Sequence, residues 1–298
     1  MSFSRRQLLQ AAGAAGLCGA ASTVHAQLPA AATDADFKIS SGRIRQSVMG
    51  WCFKPMPAIE LAQHCRDIGL VGIEGISWKD YPAVRDLGLK ISLVSSHGFK
   101  DGPITTDNHE SNAKKLRESI DQAVAVGCPS VITFTGMREK GITDKQGGTN
   151  CVDLWKSVIA YAEKRKINLC LEHLNSRDDT HPMKGHPGYF GDDVDFCADL
   201  IRRVDSPNMK LLFDVYHVQI MNGDVIRRIR QYKDIIGHYH TAGNPGRGEL
   251  DETQETNYPA VMRAIVETGY QGFVAQEFIP TWEDKAKALR HAAQVCDV

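Results

Sequence analysis

The chain has 298 residues, 42% of them apolar, and its 35 basic and 36 acidic side chains leave a net charge of −1. That balance excludes a nucleic-acid track or a membrane-surface patch as the organising feature, and the length suits one large α/β domain or two modest ones. Neither heptads nor low-complexity runs point to an interaction scaffold.

The N-terminal 26 residues read as a targeting segment, not as fold. Arg5 and Arg6 precede a weakly apolar Ala/Gly-rich run, and Val24 and Ala26 supply the small residues that a signal peptidase requires. The run is too short to span a bilayer stably, so no stable membrane anchor is expected. Ser4 before the arginines and Leu8 and Leu9 after them resemble a twin-arginine export signal. That resemblance implies a periplasmic or exported protein that takes up its cofactor before crossing the membrane. Residues 27–41 are aperiodic and read as a linker, leaving 42–298 as the catalytic domain. Beyond Cys18 the cysteines number seven, an odd count with no CxxC pair, and they read as buried thiols, not as a disulfide frame.

From residue 45 onward the chain alternates. Short apolar runs at 45–52, 70–76, 89–95, 130–135, 167–174, 209–216, 235–241 and 272–279 read as strands. Helical patterns fall at 57–68, 79–87, 109–126, 152–165, 192–203, 223–233, 257–268 and 282–296, several of them stopped by glycine at 69, 88, 127 and 269. Eight strand–helix units without a shift in composition predict an α/β fold, a (β/α)8 TIM barrel. The alternative, a doubly wound open sheet, would carry a glycine-rich phosphate turn after an early strand, and the chain has no GxGxxG or GxxxxGK.

Active sites of such barrels lie at the C-terminal strand ends. There, strand 5 offers Glu172 and His173, strand 6 Asp214 and His217, strand 7 His238 and His240, and strand 8 Gln276 and Glu277. Each has an ordinary structural reading. Asp214 could cap the next helix, Glu172 could pair with Arg177, His240 could be a satisfied core histidine, and Glu277 could cap the last helix. Four consecutive strand ends bearing ionisable groups are harder to explain that way, because clustered carboxylates in a dry rim need a compensating positive charge. A divalent metal supplies it. Three carboxylates and one imidazole favour Mn²⁺ or Mg²⁺, with Co²⁺, Fe²⁺ or Zn²⁺ also compatible. Trp51 after strand 1 and His97 after strand 3 are expected to wall the pocket. Glu74 within strand 2 reads as a barrel support.

The segments "LEHLNSRD…PGYF" at 171–190, "FDVYHVQIMNGD" at 213–224, "GHYH…PGRGE" at 237–249 and "TNYP…GYQGFVAQEFIP" at 256–280 resemble the hydroxypyruvate isomerase family, within the xylose isomerase-like TIM barrels that also include ketose 3-epimerases. The resemblance covers roughly residues 42–298 and is most specific in the second half. It implies one divalent metal held by Glu172, Asp214, His240 and Glu277. Two departures stand at the site mouth. Strand 7 carries His240, as in the ketose epimerases, where the isomerases carry Gln, and "DTHPMKGH" (179–186) is inserted between "RD" and "PGYF".

The expected chemistry is aldose–ketose isomerisation of hydroxypyruvate or a small sugar through an enediolate. Glu172 and Glu277 would move the proton, and His217 and Arg247 would hold substrate oxygens. The alternatives are a ketose 3-epimerase, a dehydratase or lyase on the same barrel, and a sugar-binding barrel without turnover. A phosphodiesterase of the apurinic endonuclease type would need further ligands on strands 2 to 4 and a basic surface. The expected partner is a small hydroxy-carbonyl molecule and not nucleic acid; homo-oligomerisation is left open.

Overall fold

The computed structural model describes residues 36–298, so the export signal, Cys18 and most of the linker lie outside the described residues. The eight strands are β1 (Arg45–Met49), β2 (Gly72–Glu74), β3 (Lys90–Ile91), β4 (Ser130–Thr133), β5 (Asn168–Glu172), β6 (Met209–Asp214), β7 (Ile236–Thr241) and β8 (Phe273–Gln276). All pair in parallel in the order β3-β2-β1-β8-β7-β6-β5-β4. The two ends of that order meet through Val94 and Val131, where the Val94 amide donates to Ser130 and the Ile132 amide donates to Val94. The sheet is therefore curled into an eight-stranded barrel, wrapped by helices as the alternating sequence predicts.

Strand periodicity sorts the side chains. On β5 to β8, Leu171, Phe213, Tyr239 and Val274 belong to the large core under the helices. Cys170 and Leu212 form a separate small cluster with Leu93 and Ile132. Successive side chains on a strand face opposite ways, so the residue two positions beyond each inner one faces the same side. Glu172 follows Cys170 by two, and Asp214 follows Leu212 by two. The register sets Asp214 opposite His240 on β7. One period-two rule thus brings the last inner residues of neighbouring strands to a common level at the rim.

The helices are α1 (Ala58–Ile68), α2 (Tyr81–Asp86), α3 (His109–Val126), α4 (Asp144–Arg165), α5 (Val194–Val204), α6 (Val215–Met221), α7 (Val225–Tyr232), α8 (Tyr258–Glu267) and α9 (Lys285–Cys296). Gly69 and Gly127 close α1 and α3 in the left-handed region. Two differences from the sequence reading have physical causes. α4 begins at Asp144 and not near 152, capped by the Thr143 hydroxyl. Its "GG" pair does not break it, because Gly147 gives room to Ile104, whose side chain a Cβ there would approach to 2.8 Å. α6 occupies residues expected to finish strand 6. It starts because the Asp214 carboxylate accepts from the Tyr216 amide at 2.8 Å and the His217 amide at 3.4 Å.

Residues 36–41, the end of the segment read as a linker, dock on the barrel. The Ile39 amide donates to Ile68, Arg290 donates to the Phe37 carbonyl, and Asp297 accepts from the amides of Ser40 and Ser41. All seven described cysteines are buried and unpaired.

Trp155 is fully buried on α4, and its Nε1 donates to Thr133 Oγ1 at 3.0 Å at the end of β4. Trp155→Ala is expected to lower the unfolding free energy by about 3–5 kcal/mol, measured by urea titration, because it removes a large buried side chain and a buried donor together.

A candidate metal and acid–base site at the barrel rim

One donor atom each from Glu172, Asp214, His240 and Glu277 lie within 4.8 Å of one another, and all four side chains are buried. The four residues come from the ends of β5, β6, β7 and β8. Glu277 follows β8 directly and is tied to the rim by its amide, which donates to Thr241.

His240 stands at the centre. Its Nδ1 lies 3.2 Å from Glu172 Oε1 and 2.8 Å from Glu277 Oε2, while its Nε2 lies 2.7 Å from Glu74 Oε1 on β2. The other Glu74 oxygen accepts from Ser92 Oγ at 2.5 Å and lies 2.9 Å from His238 Nε2. Burial opposes the charge on His240, but Glu277, Glu172 and Glu74 outweigh it and hold the ring protonated well above its ordinary range. Burial likewise opposes ionisation of Glu74, and His238 and His240 overcome it, drawing the carboxyl far down. Glu74 therefore does more than support the barrel. It fixes the His240 ring so that Nδ1 faces the acidic cluster, the arrangement in which a carboxylate orients a metal-binding imidazole. The partners lie 166 residues apart, so nothing local in the sequence links them.

Asp214 divides its carboxylate. Oδ1 caps α6, and Oδ2 is buried without a hydrogen-bond partner, 3.6 Å from Arg247 Nη2. Burial and the nearby Glu277 push the Asp214 carboxyl up to about 7, and the same two causes raise Glu172. Burial works against Glu277 as well, yet Arg247 and His240 draw it down to about 2. Arg247 donates to Glu277 Oε2 at 2.6 Å and to the Met183 carbonyl at 2.6 Å, its guanidinium 5.5 Å from the rings of both Trp51 and Tyr216. The residue sits at φ +56° between two glycines, a left-handed conformation that turns its side chain back over the rim.

His217 lies at the same level. The Asn175 amide donates to its Nδ1 at 3.0 Å, which leaves the neutral ring its proton on Nε2, 3.5 Å from Asp214 Oδ2. Burial and Arg247 keep the ring neutral by lowering it well below the ordinary histidine range. His217 thus offers one N–H to the site.

His97 does not wall the cavity, as the sequence reading expected. Its Nδ1 donates to the Gly98 carbonyl and its Nε2 meets the Thr133 hydroxyl at 2.8 Å, so both ring nitrogens serve the β3–β4 junction, behind Phe134. The cavity over the cluster, about 110 Å³, is instead walled by Trp51, Phe99 and Phe134, floored by Glu172 and Glu277, and roofed by Arg247, Met183 and His186. The last two come from the inserted segment 179–186. A larger groove of about 450 Å³ by Lys54, Ile76 and Asp80 holds none of the four clustered donors.

The donor set fits a hard divalent cation. Three carboxylates supply oxygen, a histidine held from behind supplies one nitrogen, and Asp214 Oδ2 is a buried oxygen that no protein donor satisfies.

Residues 59–296 match the family model described as xylose isomerase-like TIM barrel. The chain is 30% identical over 162 residues to the hydroxypyruvate isomerase of Escherichia coli (strain K12), covering 54% of this chain and 60% of that one. It is 25% identical over 240 residues to the 2-oxo-tetronate isomerase of Pectobacterium atrosepticum, covering 76% and 88% respectively. The crystal structure of a 3-keto-D-glucoside 4-epimerase from E. coli superposes with a TM-score of 0.71 at 18% identity, over 85% of this chain and 98% of that one. That solved structure shares the parallel barrel fold, with the catalytic face at the C-terminal strand ends. The chain belongs to the xylose isomerase-like TIM barrel family, and in line with its curated relatives it is an isomerase.

Linkage gives the cluster a testable sign. A carboxyl whose folded value, about 7, exceeds its ordinary 3.8 contributes stability that is full below 3.8 and lost as pH rises through 7. His97, His173, His186 and His217 are shifted down, so they contribute the opposite slope, and comparing variant with wild type at each pH isolates the part that depends on Asp214. In chelator, Asp214→Asn, which keeps a capping oxygen, should therefore gain stability relative to wild type as pH rises from 5 to 8. Urea midpoints measured across that range check it; a difference independent of pH would be the contrary result.

Proposed function

We propose that this protein is a metal-dependent aldose–ketose isomerase that acts on hydroxypyruvate or a similarly short 2-oxo-hydroxy acid through an enediolate. The observation that carries the reading is the convergence of Glu172, Asp214, His240 and Glu277 within 4.8 Å beneath a cationic Arg247. The small cavity supports a short substrate. About 110 Å³ is the share of roughly four liquid waters, against the roughly 300–1,000 Å³ of pockets for drug-sized ligands.

In this reading a divalent ion, Mn²⁺ or Mg²⁺ by its donors, supplies Lewis acidity toward the carbonyl and hydroxyl oxygens. The chain's own residues do the rest. Glu172 and Glu277 both reach His240 Nδ1, so both carboxylates lie close enough to serve the same bound substrate. One takes the proton from the carbon bearing the hydroxyl and a proton returns to the former carbonyl carbon, while the hydroxyl proton passes to the former carbonyl oxygen, so the carbonyl moves with no net change in composition. The His217 N–H donates to the oxygen on which negative charge develops. Arg247 binds a substrate carboxylate or hydroxyl and already neutralises Glu277. Trp51, Phe99 and Phe134 keep water from the enediolate.

A second reading, a ketose 3-epimerase, is favoured by one observation. Strand 7 supplies an imidazole, His240, where the isomerases carry an amide. The two readings separate in D₂O. Metal-loaded protein given hydroxypyruvate, four-carbon 2-oxo acids and ketoses should exchange a C–H hydrogen and move the carbonyl of the short acids, followed by NMR. Epimer formation from a ketose without carbonyl migration would replace the isomerase reading, and no exchange on any of them would remove both.

The purified protein should hold about one divalent ion per chain, lost on chelation. Glu74→Leu should weaken that binding about 10- to 100-fold, as loss of an orienting carboxylate does. Full metal occupancy in Asp214→Ala, read by elemental analysis, would refute the ligand assignment.

Glu172→Gln and Glu277→Gln each keep an oxygen donor while removing the base. Turnover should fall about 10²–10⁴-fold with metal still bound. A metal-loaded variant with near-normal turnover would place the proton carrier elsewhere.

A further inference from the structure

We infer that the inserted segment 179–186 sets the length of substrate the site accepts, with His186 as the specificity-determining side chain. The inference rests on the isomerase reading and names which members of its substrate class fit.

The segment is built onto the site, not draped near it. Asn175, three residues beyond the end of β5, anchors both of its ends. Its side-chain oxygen accepts from the Asp178 amide at 3.0 Å, its side-chain nitrogen donates to the Lys184 carbonyl at 2.7 Å, and its own carbonyl accepts from the His186 amide at 2.8 Å. The same residue's amide holds His217 Nδ1, so roof and substrate-facing imidazole share one pivot. Gly185 passes so close to this pivot that a Cβ would stand 2.2 Å from the Asp178 carbonyl oxygen. On the far side the Met183 carbonyl takes Arg247.

The His186 ring is thereby buried over the cavity, its centroid 4.2 Å from Phe99 and 6.4 Å from His217. A carbon chain bound at Glu172 and Glu277 and extended toward Phe99 would meet this ring. Three or four carbons fit beneath it; five or six require its volume.

The test compares wild type, His186→Ala and His186→Phe on a four-carbon 2-oxo-hydroxy acid and a six-carbon ketose, each with metal loaded and folding checked by circular dichroism. His186→Ala should raise the ratio of kcat/KM for the ketose over the acid at least tenfold, within the range that a few methylenes of pocket space command. His186→Phe, which refills the space without the ring nitrogens, should keep the ratio within about threefold of wild type. A folded His186→Ala with an unchanged ratio overturns the inference while leaving the isomerase reading intact. A ratio raised equally by Phe also overturns it, since polarity and not volume would then be the cause. A wild type inactive on every compound fails the isomerase reading itself, and this inference with it.

Discussion

Three carboxylates buried within a few ångströms of one another set the terms for the rest of this site. Such a group cannot be ionised in a dry rim without cations close by. Without an ion the protein supplies two, a protonated His240 from beneath and Arg247 from above, the His240 Nδ1 proton being the one a metal would displace, and their placement explains otherwise unrelated features. Glu74 stands inside β2 because His240 needs a partner on its far nitrogen. From its left-handed backbone Arg247 spreads its fork to Glu277 and Met183 together. The pull of these cations is also uneven. It draws Glu277 down while Glu172 and Asp214 stay high, so the carboxylates differ in proton affinity before any ligand binds.

Much of this was legible in the sequence because strand ends in a parallel barrel are marked by a change of chemistry. An apolar run that stops on Asp214 or Glu172 states where the rim is, and period-two alternation states which way the residue faces. What was not legible depended on partners far along the chain. Glu74 looked like a support because His240, which gives it a role, lies 166 residues away. His97 looked like a wall because its position after strand 3 was visible, whereas the Thr133 hydroxyl that turns it aside was not. Helix α6 was hidden by its composition. Its first residues, Val215 and Tyr216, continue the strand pattern, and the Asp214 side chain, accepting two amides, ends the strand, the capping role the sequence offered for it. Phe99, Phe134 and His186 reach the cavity from loops, where neither period applies.

The roof and the floor have different origins. The floor is made by strands whose register leaves no freedom. The roof comes from a loop held by Asn175, by a close-passing Gly185 and by Arg247 on the Met183 carbonyl. Barrels of this kind vary their chemistry by changing loops above a constant strand layer, and here residues 179–186 shape the space above the clustered carboxylates without belonging to the cluster.

Asp214 adds one more consequence. Since one of its oxygens is engaged by the first amides of α6, the other is aimed into the cluster by the backbone itself and not by a side-chain rotamer free to turn away. An incoming cation would find that oxygen already oriented, with little rearrangement of the backbone needed to meet it. Helix start and candidate ligand are one group, so drift at this position would unsettle the secondary structure and the acidic cluster in a single step.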